Sequence, residues 1–169
     1  MRHYLSILQE SMRRKWQEPA LSDYRGTTFT FADIATRIAK IHALFDALGV
    51  VDGNKIALAS KNCSHWAISF LAVGTKRCVA VPILPDFAPE TIAGLTDHSE
   101  SVVLFTEKRM WDAMELSVMP NLKAAVNVED FTLLYAAEQA YVDAAVNIEA
   151  TMPKVFDQSK SHEITDYKL

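Results

Sequence analysis

The residues able to do chemistry in this chain are scattered rather than clustered. His3, His42, His65, His98 and His162 show no H-x-x-x-H or H-E-x-x-H spacing. Zinc needs converging ligands, and nothing local supplies a pair, so no metal site is expected. Asp97-His98 with Glu100 has the composition of an acid–base cluster. It falls at an expected helix end before a strand, where charged groups are commonly solvated, and solvation is the preferred reading. His65-Trp66 has the makings of a wall on which a ligand stacks, although a half-buried helix face against a sheet uses the same residues. No Ser or Cys occupies a G-x-S-x-G nucleophile elbow. Gly26-Thr27-Thr28 lacks the further glycines and the lysine that would surround phosphate oxygens, so it reads as a hairpin turn. Cys63 and Cys78 read as reduced core residues rather than a disulfide or metal pair. From residue chemistry alone, no catalytic residue is assigned.

The elements that must position any site centre on residues 55–106. Lys55-Ile-Ala-Leu-Ala-Ser60, Cys78-Val-Ala-Val-Pro-Ile83 and Ser101-Val-Val-Leu-Phe-Thr106 are short aliphatic runs with little polar alternation. Such runs predict strands buried on both faces. Asn62 to Lys76 and Pro89 to Ser99 are long enough for crossover helices, which predicts an α/β fold with a β-α-β-α-β parallel sheet and covering helices. Upstream, Leu5, Leu8, Met12 and Trp16 predict a one-sided helix ending on Arg13, Arg14 and Lys15. A membrane-surface helix would carry a similar basic cluster, so peripheral contact with lipid stays open as an alternative. Residues 19–24 and 27–30 flank Arg25-Gly26 as a hairpin. Thr30 and Asp33 make a capping signal for a helix with Phe31, Ile34, Ile38, Ile41, Phe45 and Leu48 on one stripe, closed by Gly49.

The first crossover region opens with Asn62 as the expected cap of its helix, and Pro89 suits the first turn of the helix in the second. Downstream, residues 108–117 predict a helix, Pro120-Asn121 a turn and residues 124–128 a fourth strand. Residues 133–150 predict another helix, with Leu134, Ala137, Tyr141, Ala145 and Ile148 on one face. Residues 151–169 are polar, contain Pro153 and read as linker or loop.

The chain has 169 residues, half of them hydrophobic, enough for one ordinary domain with a real core. A net charge of −4 and a pI near 5.7 give no footprint for nucleic acid. No run reaches the roughly 18 apolar residues of a membrane span. Gln9, Glu10, Arg13, Arg14 and Lys15 interrupt any signal-peptide core, so the default expectation is a cytoplasmic protein. None of the five glycines belongs to a G-x-G-x-x-G or G-x-x-x-x-G-K-[ST] pattern.

An ordered set of short motifs carries the reading further. Pro19-Ala-Leu, Tyr24-Arg-Gly, Thr28-Phe-Thr-Phe31, Leu48-Gly49, Asp52-Gly-Asn-Lys-Ile-Ala57, Asn62, Trp66, Phe70-Leu-Ala72 and Val79-Ala-Val-Pro82 occur in that order. The set resembles the N-terminal portion of the AMP-forming acyl-CoA synthetases, in the adenylate-forming superfamily. The resemblance covers about residues 15 to 107. Arg77 stands where the family has a glycine, which predicts that the helix before it ends another way, after Gly74. Leu84-Pro85-Asp86 replaces a common Asn-Pro pair, and Asn54 replaces an Asp.

The resemblance implies a ligase that joins a carboxylic acid to AMP using ATP and Mg2+, then passes the acyl group to the thiol of coenzyme A. It implies a long-chain fatty or aromatic acid as the small-molecule partner. Peptide-synthetase adenylation domains and luciferase-like ligases are relatives to keep in view. The glycine-, serine- and threonine-rich phosphate loop, the nucleotide motifs and the catalytic lysine are expected beyond residue 169. The isolated chain is therefore expected to be inactive and to hold no cofactor by itself. Residues 1–150 are expected to form a partial N-terminal subdomain, and 151–169 a loop leading to the phosphate-loop region. Asp86 and Phe87, after Pro82 at a strand's C-terminal end, are the candidate substrate or coenzyme-path loop. The rival expectation is a non-enzymatic docking module that self-associates through an exposed sheet edge.

Overall fold

The computed structural model describes residues 4–164. Helix α1 (Tyr4–Arg14) buries Leu5 and Met12, and leads into an antiparallel hairpin of β1 (Pro19–Ser22) and β2 (Thr28–Thr30). Helix α2 (Phe31–Ala47) starts on a complete capping box. The Thr30 hydroxyl accepts the Asp33 amide, and the Asp33 carboxylate accepts the Thr30 amide at 2.9 Å. Two orphan amides are thereby satisfied.

The five-stranded sheet follows the spatial order β4-β3-β5-β6-β7. It is built from β3 (Lys55–Ala59), β4 (Val79–Pro82), β5 (Val103–Thr106), β6 (Ala124–Asn127) and β7 (Leu133–Ala136). The first four strands are parallel, and β7 closes the sheet antiparallel to β6. Between them run α3 (Ser64–Thr75), α4 (Pro89–His98), the short α5 (Lys108–Trp111) and, after β7, α6 (Gln139–Thr151).

Direction decides which face each helix covers. The chain steps from β3 to β4 toward one edge, then returns past β3 to β5. Right-handed crossovers in opposite directions place their helices on opposite faces. One core accordingly packs Ile38, Phe45, Ile68 and Val73 of α2 and α3 against Ile56, Leu58, Val103 and Phe105. A second packs Ile92 and Ala93 of α4 with Met119 and Leu122 against Ala57, Ala59, Leu104 and Ala125.

Strands β3 and β5 meet the expectation of burial on both faces, as does the fourth strand β6, and β4 does not meet it. It is the sheet edge, and Val79 is 49% exposed. The cap of α3 is Cys63, whose Sγ accepts the Trp66 amide at 3.4 Å, rather than Asn62. Both cysteines are free and half-buried.

Arg77 overturns the expected helix end. It adopts φ +60° itself, with the Arg77 amide on the Gly74 carbonyl and the Cys78 amide on the Val73 carbonyl. This is the paired-bond ending normally given to glycine. Gly49 ends α2 in the same way at φ +62°, and Glu100 ends α4 at φ +56°. An ion pair of 3.0 Å from Arg77 to Asp52 holds the left-handed residue in place.

The helix expected over 133–150 is a strand followed by a helix. Leu133–Ala136 pair with β6, covering its otherwise open edge. The turn between them is closed by Asn127 Oδ1 accepting the Glu129 amide and Asp130 Oδ1 accepting the Thr132 amide. The helix expected over 108–117 stops at Trp111 and resumes as a single 3-10 turn at Leu116–Val118. Within the expected linker, Phe156 donates its amide to Thr36 Oγ1 at 2.6 Å, and Gln158–Ile164 form 3-10 turns that pack on α1 and α2. The last five positions of that segment, 165–169, lie outside the described residues.

Candidate functional site

The reversal of winding places a crevice between β3 and β5 at their carboxyl ends. The connection leaving β3 rises to one face, and the one leaving β5 falls to the other. Open α/β sheets bind ligands at such a switch point. The residues delivered there are Ser60 and Lys61 after β3, and Thr106 and Glu107 at the end of β5. Thr106 donates its hydroxyl to the Ala59 carbonyl at 3.0 Å, locking the two strand ends together. Glu107, with its side chain only 17% exposed, accepts from Arg109 Nε at 2.8 Å and from the Lys61 amide at 3.5 Å. A half-buried carboxylate flanked by two cationic residues is a polar crevice, not yet a catalytic constellation.

Sequence reading missed Glu107, Lys61 and Arg109, since they belong to no motif. The signal that finds them is topological: they follow two strands whose connections diverge.

Asp86 and Phe87 sit in the turn after β4, closed by the Phe87 amide on the Leu84 carbonyl at 3.3 Å. Both are exposed at the carboxyl end of the edge strand, one strand removed from β3. They therefore lie at the carboxyl end of the sheet.

His65 and Trp66 part company. The His65 ring lies between Phe29 (5.3 Å) and Phe131 (4.7 Å), whereas Trp66 stacks on Phe70 at 5.5 Å. Burial, then the nearby Arg37 charge, pushes the His65 pKa down. Asp23 Oδ1 caps the adjacent helix by accepting the Ser64 amide at 2.7 Å. For Asp130, burial opposes ionisation, but hydrogen bonds from the Thr132 hydroxyl and amide hold its pKa below the usual carboxylate value.

Asp97-His98 and Glu100 occupy the opposite end of the sheet. Glu100 accepts from Lys55 Nζ at 2.6 Å, and that bond keeps its pKa low. Lys55 opens β3, so this cluster lies at the amino ends of the strands, away from the crevice.

Among the described residues, no three His, Cys, Asp or Glu side chains converge as a metal site. The two glycines with positive φ, Gly49 and Gly53, serve a helix end and a turn at the amino ends of the strands.

The fold is an α/β domain built like the N-terminal region of adenylate-forming ligases. The chain belongs to the AMP-binding enzyme family, whose model matches residues 8–164. It is 30% identical over 90 residues to 4-coumarate–CoA ligase 1 of Arabidopsis thaliana, covering 53% of this chain and 16% of that protein. It is 21% identical over 108 residues to the hybrid PKS-NRPS synthetase mpsA of Macrophomina phaseolina, covering 64% of this chain and 3% of that one. The chain thus spans a small part of the curated relatives' length.

Among solved structures, the anthranilate CoA ligase AuaEII in complex with anthranoyl-AMP superposes with a TM-score of 0.73 at 16% identity. That match covers 92% of this chain and 29% of the ligase. Acetoacetyl-CoA synthetase of Streptomyces lividans gives 0.64 at 21% identity, over 80% of this chain and 25% of that one. At these identities the likeness is one of fold. No helix among the described residues is long and apolar enough to cross a membrane.

Proposed function

We propose that these residues are the scaffold side of an ATP-dependent acid–thiol ligase that activates a fatty or aromatic carboxylic acid. In the first half-reaction the carboxylate oxygen attacks the α-phosphorus of ATP; an acyl-AMP forms and pyrophosphate leaves. In the second, the coenzyme A thiol sulfur attacks the acyl carbon, forming the thioester as the bond to AMP breaks and the thiol proton is lost. Such chemistry depends on positioning and on cations that offset charge at the phosphates.

The observation that carries this reading is the family match across residues 8–164. The coenzyme-linked reaction is favoured because the coumarate ligase matches at higher identity than the peptide-synthetase hybrid. Residues 1–150 are assigned the role of a partial N-terminal subdomain, and 151–169 that of the connection toward the phosphate loop.

The contribution of these residues is structural. They fix the β3/β5 crevice and present Asp86 and Phe87 beside the acid or coenzyme path. By themselves they neither adenylate nor hold ATP, Mg2+ or coenzyme A. The test is acid-dependent ATP–pyrophosphate exchange by the longest product of the gene, followed by thioester formation on adding coenzyme A. Exchange across aliphatic and aromatic acids is expected. A folded product that supports neither step with any carboxylic acid overturns the reading.

A further inference from the structure

A second opening lies away from the crevice, on the α2 face of the sheet. It is a cavity of about 260 Å³ between α2, the far half of the sheet and α6. Its wall is apolar: Ile41, Leu44, Phe105, Val126, Leu133 and Ile148. Drug-sized sites begin at roughly 300 Å³, so this one takes a smaller ligand.

The rim is charged and unevenly so. Arg37, Lys40 and Lys154 face it, against Asp130 and Glu149, leaving one cation in surplus. The distribution sharpens the imbalance. Glu149 is committed to Lys40 at 2.8 Å, and Asp130 accepts from both the amide and hydroxyl of Thr132. Arg37 Nη1 donates to the Asp33 carbonyl at 3.3 Å and stands 3.9 Å from the Asp33 carboxylate, and the guanidinium lies 4.6 Å from the centre of the Phe29 ring, so its remaining N–H groups are uncommitted among the described residues. Lys154 makes no ion pair among the described residues. Two donors thus remain to meet an incoming anion, one on α2 and one on the segment that follows α6. That segment is pinned over α2 by the Phe156 amide on Thr36 Oγ1, which keeps Lys154 at the rim.

We propose that this cavity is a binding site for a small amphipathic monoanion, its apolar tail against Phe105 and Ile148 and its head between Arg37 and Lys154. Burying a short alkyl or aryl tail supplies the driving force, at about 0.8 kcal/mol per methylene. The two cations supply the selection against neutral and cationic analogues. The proposal does not depend on the ligase reading, since binding in this cavity needs no adenylation.

The experiment is a titration of the methyl-labelled chain with octanoate, 1-octanol and octylammonium, followed by NMR. Saturable shifts are expected at Ile41, Leu133 and Ile148, with octanoate binding about tenfold more tightly than octylammonium. Lys154→Glu, an exposed change, is expected to weaken octanoate about threefold or more and to narrow that preference. Ala145→Phe, on the α6 wall, is expected to abolish the shifts by filling the space. If Ala145→Phe fails to fold, the charge selectivity and Lys154→Glu decide. Absence of saturation up to about 10 mM octanoate, equal binding of the cationic amphiphile, an unaltered affinity in Lys154→Glu, or shifts confined to residues 84–88 would each overturn the proposal.

Discussion

His42 Nε2 lies 2.9 Å from Thr75 Oγ1 and 3.0 Å from the Ala72 carbonyl, joining α2 to the last turn of α3. Burial lowers its pKa from 6.5 to about 4, against a partial offset from the Ala72 carbonyl. The neighbouring Lys76 lowers it further, while Asp46 raises it. The ring is thus neutral in the folded protein at pH values where the unfolded chain already takes up the proton.

The stability due to neutral His42 is fully present above pH 6.5 and is lost as pH falls toward about 4. A difference of that size corresponds to about 3 kcal/mol at most. His65, also lowered by burial, acts in the same direction. Urea unfolding of the wild type is expected to show a lower midpoint at pH 5 than at pH 7, and His42→Gln a smaller difference. Equal pH dependence in both would show that His42 is not responsible.

Arg77 at φ +60° offers a backbone test. A left-handed conformation costs a non-glycine residue about 1–2 kcal/mol. Glycine removes that cost but loses the exposed Asp52 pair, worth roughly 0–1 kcal/mol, and raises unfolded-state entropy. Alanine keeps the strain and loses the pair. Thermal melts should therefore rank Arg77→Gly level with or above wild type, and Arg77→Ala below both. An Ala variant more stable than the Gly variant would contradict the left-handed assignment.

Phe105 is 1% exposed and meets Phe45 and Phe131 edge to face at 6.3 and 6.4 Å. Truncating it to alanine removes aromatic packing at the meeting point of two layers. A loss of about 3–5 kcal/mol is expected in chemical denaturation, and Phe105→Leu should cost clearly less. A loss under about 1 kcal/mol for the alanine variant would mean that the ring is not in the core.

Thr30→Ala removes the hydroxyl half of the capping box of α2, whose carboxylate half remains with Asp33. About 1 kcal/mol of stability should be lost. Melting curves for the alanine, serine and wild-type proteins check this, with serine expected to recover most of the loss.

Asp86→Ala and Phe87→Ala touch exposed positions, so stability should stay within about 0.5 kcal/mol of wild type. In a full-length ligase carrying this segment, the same changes should raise KM for the acid or for coenzyme A several-fold. Unchanged kinetics would take this loop out of the ligand path.

What the sequence made legible follows from how local each signal is. Thr30 and Asp33, the stripe from Phe31 to Leu48 and the glycine at 49 are contiguous features, and α2 appears as expected. Buried runs at 55–60 and 101–106 likewise became β3 and β5. Leu133 to Ala136 fitted a helical stripe by spacing, yet the open edge of β6 offered hydrogen bonds that outweighed it. Val79 looked buried because an aliphatic run does not reveal whether its strand is central or peripheral. Arg77 was read through the steric preference of its residue type, and an ion pair plus two helix-ending bonds held it where glycine usually sits. Glu107 and Lys61 carried no local mark; strand order brings them together.

The most direct test is ATP–pyrophosphate exchange by the purified 169-residue chain across a panel of carboxylic acids. Turnover indistinguishable from blank is predicted, because the groups that grip nucleotide are assigned to residues other than these. Acid-dependent turnover well above blank would place working phosphate-binding chemistry among Met1 to Leu169 and contradict the scaffold assignment.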